Sequence, residues 1–332
     1  MDINEPRICV AGIGAIGGLL AGLLGQRYRR LSVVARGATL DTIRNQGLCL
    51  DMEGTPHVVH PAHADVTAPD EIQDIIILCG KSYHLPGLAR AVAGAVGPDT
   101  VIIPVVNGIP WWFATPGMPD AAKALAHLLD PAGTLGATFA RRNIMGCVAY
   151  AFAAQAATGK IVSHKKPLLM LGDITPDPAG DLKQVTTILQ AAGIGVQACP
   201  DIRAALWTKL AANLATNPVS VLCPATLAQL GHDAHSASVI EAIVHETLAI
   251  GRAYGVTADM SAVDIMALIR KGPAHRTSML QDFLAGRMLE LDAIGIAPLL
   301  LASHANLPAP VIHAIVNLTR FRASTMQADG PG

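Results

Sequence analysis

The sequence predicts an α/β fold in two parts: a doubly wound parallel sheet over residues 1–200, then an all-helical domain over residues 201–332. Three observations carry this reading. Short apolar runs alternate with helical patterns through the first part, the rhythm of βαβ units whose strands are buried on both faces. A glycine cluster, Gly12-Ile13-Gly14-Ala15-Ile16-Gly17, directly follows the first apolar run and opens an apolar helix. From Ile202 onward the strand pattern stops and helix follows helix, which puts the join near Pro200. At 332 residues the chain is long for one core.

Taken in order, the candidate strands are Arg7–Ala11, Leu31–Ala35, Asp74–Cys79, Val101–Val106, Gly146–Phe152, Lys160–His164, Leu168–Leu171 and Gly195–Ala198. In the second part, helix starts are signalled by Ser261 with Asp264, by Ser278 with Gln281, and by Pro298. The amphipathic stretch Ser238–Tyr254 reads as core or as a subunit contact, which leaves a homo-oligomer open. Residues Gln327–Gly332 read as a frayed tail.

Composition narrows the function. With 51% apolar and 15% charged residues the chain is not disordered. A net charge of −1, with Lys and Arg scattered, gives no nucleic-acid footprint and no electrostatic membrane anchor. The six cysteines lie far apart, and Cys9 and Cys79 fall inside apolar strands, as small core residues of a reducing compartment do. The uncharged run Ile8–Gly25 holds six glycines and follows Asp2 and Glu5, unlike a signal peptide. A cytoplasmic protein is expected. His57, His60 and His63 lack the geometry of a metal site, since alternate strand faces and Pro61 separate them. No metal is expected.

The glycine cluster matches G-x-G-x-x-G in its proper setting, after a strand and opening a helix. Gly12 permits the tight turn, Gly14 the approach of a pyrophosphate, and Gly17 close helix–strand packing. The first sheet is therefore of the Rossmann type. In an NAD site an acid about 20 residues further on holds the ribose hydroxyls. Here the second strand ends Val34-Ala35-Arg36-Gly37, without an acid. Arg36 either grips a 2′-phosphate, which points to NADP(H), or is solvated at the surface. Lys81 and Asn107 stand just past two further strands, on the edge where such sheets bind ligands. Each alone reads as a solvated lysine or an Asn-Gly turn.

The helix Leu206–Pro218 carries Lys209, Asn213 and Asn217 four residues apart, and so on one face. A lysine on an apolar face is costly to bury without partners. It either snorkels or serves as a proton donor.

Assembled in order, these pieces resemble the ketopantoate reductase family over nearly the whole chain. The matching residues are Gly12–Gly17, Arg36, Lys81, Asn107-Gly108, Lys209, Asn213, Asn217-Pro218, and Ser278 to Asp292. The resemblance implies NADPH-dependent reduction of a 2-oxo acid, ketopantoate, in a cleft between the two domains. It implies that Lys209 is the general acid and that Glu290 is a buried acid holding substrate and lysine. It further implies that Asn213 and Ser278 contact the substrate, with Asn217 beside them, and that Asn107 lies near the nicotinamide and Lys209. The chain departs from the family twice. His275 stands where a substrate-binding Asn is expected, and Trp111-Trp112 makes the turn after Asn107 bulkier. Both put the particular 2-oxo acid in question. Reduction of another 2-oxo acid, or a non-catalytic NADPH-sensing role, are the competing readings. Ser278 could also serve only as a helix N-cap.

Overall fold

A computed structural model describes residues 1–115, 117–272 and 274–328. The contacts divide the chain into two units. The first comprises Met1–Val106 and Ala132–Ile202; the second comprises Asn107–Pro131 and Arg203–Gly332. The second thus takes in a segment that precedes the sequence join near Pro200.

The strands of the first unit are β1 (Ile8–Ala11), β2 (Leu31–Val34), β3 (Leu48–Met52), β4 (Thr55–Val59), β5 (His63–Asp65), β6 (Ile75–Cys79), β7 (Val101–Val105), β8 (Met145–Tyr150), β9 (Ala153–Ala157), β10 (Lys160–Ser163), β11 (Leu168–Asp173) and β12 (Gly195–Ala198). Five of them form a parallel sheet in the order β5-β2-β1-β6-β7. The early runs of Ile, Val and Leu build its centre; every residue of β1, β2, β6 and β7 is buried. The later strands do not extend that sheet. They form a second sheet, β4-β3-β10-β9, and a third, β12-β11-β8, each mixing parallel and antiparallel pairs.

Four strands, β3, β4, β5 and β9, escape the sequence pattern for local reasons, β5 because it has only three residues, His-Ala-Asp. β3 and β4 are a hairpin closed by Glu53 (φ 54°) and Gly54 (φ 85°), a two-residue loop whose first position lacks the usual Asn or Gly. β4 contains Pro56 and is largely exposed, and β9 is Ala-Ala-Gln-Ala-Ala, poor in β-formers.

Helices α1 (Ala15–Arg27), α2 (Gly37–Gln46), α3 (Leu85–Val92), α4 (Pro119–Leu129), α5 (Thr134–Thr138) and α6 (Leu182–Ala191) connect these strands, with α4 in the second unit. The middle of α1 is buried all round, from Gly17 to Leu24. Its small-residue stripe explains how. A Cβ on Gly18, Gly22 or Gly25 would stand 2.5 Å from Ile161, 2.7 Å from Leu50 and 2.1 Å from Val59, respectively. The second sheet therefore rests directly on one face of α1.

The rest of the second unit is α7 (Ile202–Leu222), α8 (Leu227–His232), α9 (Ala234–Ala253), α10 (Ala262–Arg270), α11 (Ser278–Leu284), α12 (Ala297–His304) and α13 (Pro310–Ala328). Its core centres on Trp207 of α7, wholly buried. The ring stacks on Phe113 (centroids 5.3 Å apart), and its Nε1 donates to the Thr247 carbonyl of α9 at 2.9 Å. Arg322 of α13 donates to the Leu222 carbonyl at 2.8 Å, satisfying the end of α7. Gln327 and Ala328, read as tail, are helical; residues 329–332 lie outside the described residues. Among the described residues no helix is long and apolar enough to cross a membrane.

The entry to β1 and β6 is braced electrostatically. Asp74 accepts from the Arg7 backbone N–H (2.8 Å), Nε (3.1 Å) and Nη2 (2.8 Å). Burial pushes the Asp74 carboxyl up, but these bonds and the Arg7 charge outweigh it and hold it below the ordinary carboxylate value. A depressed folded-state value means that the brace stabilises the fold above the unfolded carboxylate range, near pH 4, and is lost as pH falls through the folded value. Urea unfolding between about pH 6 and 2 should show this loss, worth about 1.5–3 kcal/mol. In Asp74→Asn that increment should be missing at pH 6. Identical pH profiles for the two proteins would contradict the brace.

Candidate functional site

Lys209 sits in the second turn of α7, among Leu206, Trp207, Thr208, Leu210 and Ala211, all buried. Its Nζ donates to Asn107 Oδ1 at 3.0 Å. The amide oxygen offers the ammonium a partial negative charge without neutralising it. Asn213 and Asn217 continue the same face of α7, Asn213 half-buried and Asn217 4% exposed. Neither side-chain amide bonds another described residue. Two buried or half-buried amides without partners among the described residues, one and two turns from an ammonium, are groups to which a ligand can bond.

Asn107 owes its place to the turn that follows it. Gly108 has φ +77°, and a Cβ there would lie 2.5 Å from the Ala293 carbonyl carbon. The next residue, Ile109, donates its N–H to the Ala293 oxygen at 2.8 Å. Ala293 belongs to a π-helical turn, Asp292–Ile296, that begins two residues after Glu290. Glu290 is 4% exposed, and its carbonyl accepts from Ile294 N–H at 3.1 Å. Asn107 and Glu290 thus share one connected set of backbone contacts within the second unit, and Lys209 joins it through its side-chain bond to Asn107. Sequence pattern shows neither the π turn nor the Gly108–Ala293 approach. Its only trace is the Asn-Gly pair.

Ser278 is exposed and is the first residue of α11 rather than its cap. The cap is Thr277, whose Oγ1 accepts from Leu280 N–H at 3.1 Å, while Gln281 Nε2 bonds the Arg276 carbonyl. The reading of Ser278 with Gln281 as a capping box is therefore one residue out. Thr277 is the better cap because its hydroxyl also meets the wholly buried Ser220 Oγ of α7 at 2.6 Å. By contrast, Ser261 and Asp264 do form a capping box, opening α10. His275 is half-buried in the loop before α11, and its carbonyl accepts from Leu227 N–H at 3.1 Å.

In the first unit, the glycine turn between β1 and α1 fits a dinucleotide. Gly12 has φ +94° and its Cβ would lie 1.9 Å from the Cys79 carbonyl oxygen, so only glycine passes. At Gly17 the Gly12 carbonyl is as close, whereas a Cβ on Gly14 would meet nothing within 4 Å. Gly14 is the N-cap of α1, without a side-chain cap or an acid in the first turn. With Ile13, Ala15 and Ile16 around it, this leaves first-turn amides and an open approach for an anion. Arg36, exposed at the N-cap of α2, bonds no other described residue. Lys81 is half-buried just after β6 and precedes a 3₁₀ turn, Ser82–His84.

His57 lies in β4 and His63 in β5, in different sheets, and His63 Nε2 bonds the Thr67 carbonyl. Among the described residues no group of three His, Cys, Asp or Glu could hold a metal.

The second unit thus holds an ammonium on an amide oxygen, and the first holds a glycine turn suited to a dinucleotide; the relatives define the class as an oxidoreductase. Comparison with known proteins is specific. The family model for ketopantoate reductase PanE/ApbA matches residues 8–175, and the model for its C-terminal part matches residues 201–323. This chain belongs to the ketopantoate reductase family. It is 32% identical to the 2-dehydropantoate 2-reductase of Mesorhizobium japonicum, covering 95% of this chain and 97% of that one. A structure assigned to a ketopantoate reductase from Ralstonia solanacearum MolK2 superposes with a TM-score of 0.85 at 29% identity, covering 97% and 99% of the two chains. D-Mandelate dehydrogenase, solved with NADH and anilino(oxo)acetate, shares the fold, with a TM-score of 0.82 at 18% identity and 96% and 99% coverage.

The cap assignment is testable by stability alone. Thr277→Ala should lose about 1–2 kcal/mol through the cap and the buried Ser220 contact. Ser278→Ala should stay within about 0.5 kcal/mol of wild type in denaturant unfolding. Equal losses would place the cap at Ser278.

Proposed function

We propose that this protein reduces 2-dehydropantoate to pantoate with NADPH, Lys209 serving as general acid. The observation that carries the reading is the Lys209 Nζ–Asn107 Oδ1 hydrogen bond on a face that also presents Asn213 and Asn217. A reduced nicotinamide, when bound, would supply a hydride to the carbonyl carbon of the 2-oxo acid. The charge that then grows on the carbonyl oxygen is met by the Lys209 ammonium, which hydrogen-bonds it and delivers a proton from Nζ. The product is a 2-hydroxy acid, and solvent restores the proton to Lys209. Asn107 holds the ammonium in place through its amide oxygen, without deprotonating it. Asn213 and Asn217 offer amides to the substrate, Ser278 and His275 serve its carboxylate end, and Glu290 orders substrate and lysine.

Gly12–Gly17, Lys81 and Arg36 would hold the cofactor. At the end of β2 the chain has Arg36 in place of the acid that reads ribose hydroxyls, and this favours a 2′-phosphate. The 2-dehydropantoate 2-reductase relatives support the substrate, while His275 and Trp111 are the positions at which this chain would adjust it. D-Mandelate dehydrogenase, a reductase of the same fold, is bound to an aromatic oxo acid in its structure, so the substrate panel should include aromatic 2-oxo acids.

Lys209→Ala should lower kcat by about 10²–10⁴-fold with 2-dehydropantoate, the scale of a lost general acid. Steady-state NADPH consumption measures it, and near-wild-type turnover would exclude the role. Arg36→Ala should weaken NADPH by about 1.5–3 kcal/mol and leave NADH nearly unchanged. Parallel losses for both cofactors in fluorescence titration would show that Arg36 does not read the phosphate.

A further inference from the structure

The Asn107 side chain reaches Lys209 from a three-residue turn that would be loose by itself. What fixes the turn is the π-helical segment Asp292–Ile296. Its Ala293 carbonyl takes the Ile109 N–H at 2.8 Å, and the Gly108 α-carbon packs so closely on Ala293 that a Cβ would fall 2.5 Å from its carbonyl carbon and 2.6 Å from its oxygen. In a regular α-helix an interior carbonyl is already engaged by the N–H four residues on. A π turn shifts that ladder by one residue and turns carbonyls outward to other partners. Here Ala297 N–H closes on the Asp292 carbonyl, five residues back. The same segment is anchored on its far side, where a Cβ on Gly295 would press within 2.9 Å of Val316 in α13. Ala293 and Val316 are both wholly buried.

We infer that Gly108 and Ala293 form a positioning clamp, in which the π turn sets the Asn107 amide oxygen on the Lys209 ammonium and thereby fixes the direction in which Nζ presents its remaining protons. Neither clamp residue touches the reacting atoms; they act through Asn107. The inference rests on the reading of Lys209 as the proton donor. The π turn begins two residues after Glu290, whose carbonyl accepts from the Ile294 N–H within it, so Asn107 and Glu290 are both tied to this segment. Any motion of that turn moves them together.

The test is a double-mutant cycle on the full-length protein. Gly108→Ala should lower kcat about 10–100-fold, the penalty for misplacing a reacting group by about 1 Å, and leave KM within about threefold. Asn107→Ala should produce a loss at least as large. If the clamp acts through Asn107, the double variant should be no worse than Asn107→Ala by more than about twofold, whereas independent structural damage would multiply the two losses. Because Gly108→Ala could abolish folding, Ala293→Gly loosens the same contact without inserting an atom; it should lower kcat several-fold, and only when Asn107 is present. A second readout needs no turnover. In the free protein, NMR titration of lysine carrying ¹³C at Cε should move Lys209 downward in both Gly108→Ala and Asn107→Ala, because the first displaces and the second removes an acceptor that favours the ammonium. Multiplicative losses, or a Lys209 titration unmoved in the clamp variants, would overturn the clamp. Full activity of Lys209→Ala would instead overturn the proton-donor reading on which it stands.

Discussion

Keeping an ammonium available on a helix otherwise made of core residues is the constraint around which the second unit is arranged. Lys209 is flanked in sequence by buried Thr208 and Leu210, with wholly buried Trp207 one residue further back. An uncompensated charge there would favour unfolding or loss of its proton. The protein offers it the Asn107 amide oxygen at 3.0 Å, which stabilises the charge without neutralising it. The elements that carry this pair are held in turn: Trp207 pins α7 to α9, Arg322 closes the end of α7, and the π turn holds the loop that carries Asn107.

The first unit resolves a different conflict. Its glycine turn leads into α1, whose N-terminus is bare of acids and side-chain caps, an arrangement that favours an anion. A helix with no polar face must then be covered on every side. The parallel sheet covers one side, and the sheet containing β3, β4 and β10 covers another, seated on the stripe Gly18, Gly22 and Gly25. The glycine density that makes Ile8–Gly25 look odd as a helix is thus accounted for twice, at the turn and along the stripe.

What could be read from sequence was whatever depends on neighbours within about one turn or one strand. Four of the five strands of the parallel sheet announce themselves as apolar runs, the turn after β1 as spaced glycines, and the Lys209–Asn213–Asn217 face as a repeat of four. The failures have equally local causes. Glu53 hides a hairpin, Pro56 disguises an exposed strand, and Thr277 beats Ser278 as a cap only because a buried hydroxyl from α7 lies beside it. The π turn and the membership of Asn107–Pro131 in the second unit depend on residues far away in sequence, and no window of the chain contains them.

That membership bears on how the protein comes into being. The chain leaves the first unit at Val106, returns at Ala132 and leaves again after Ile202, so neither unit is a continuous piece of polypeptide. During synthesis the first unit's parallel sheet can close while Asn107–Pro131, with the buried Trp112 and Phe113, still waits for partners made later. Phe113 finds Trp207, and Ile109 finds Ala293, only after long further stretches have emerged. Until then an apolar loop hangs from a finished sheet, an aggregation-prone arrangement at the ribosome. A fragment cut near residue 200 would keep that exposed loop for good, so this protein is poorly suited to division into separately expressed halves.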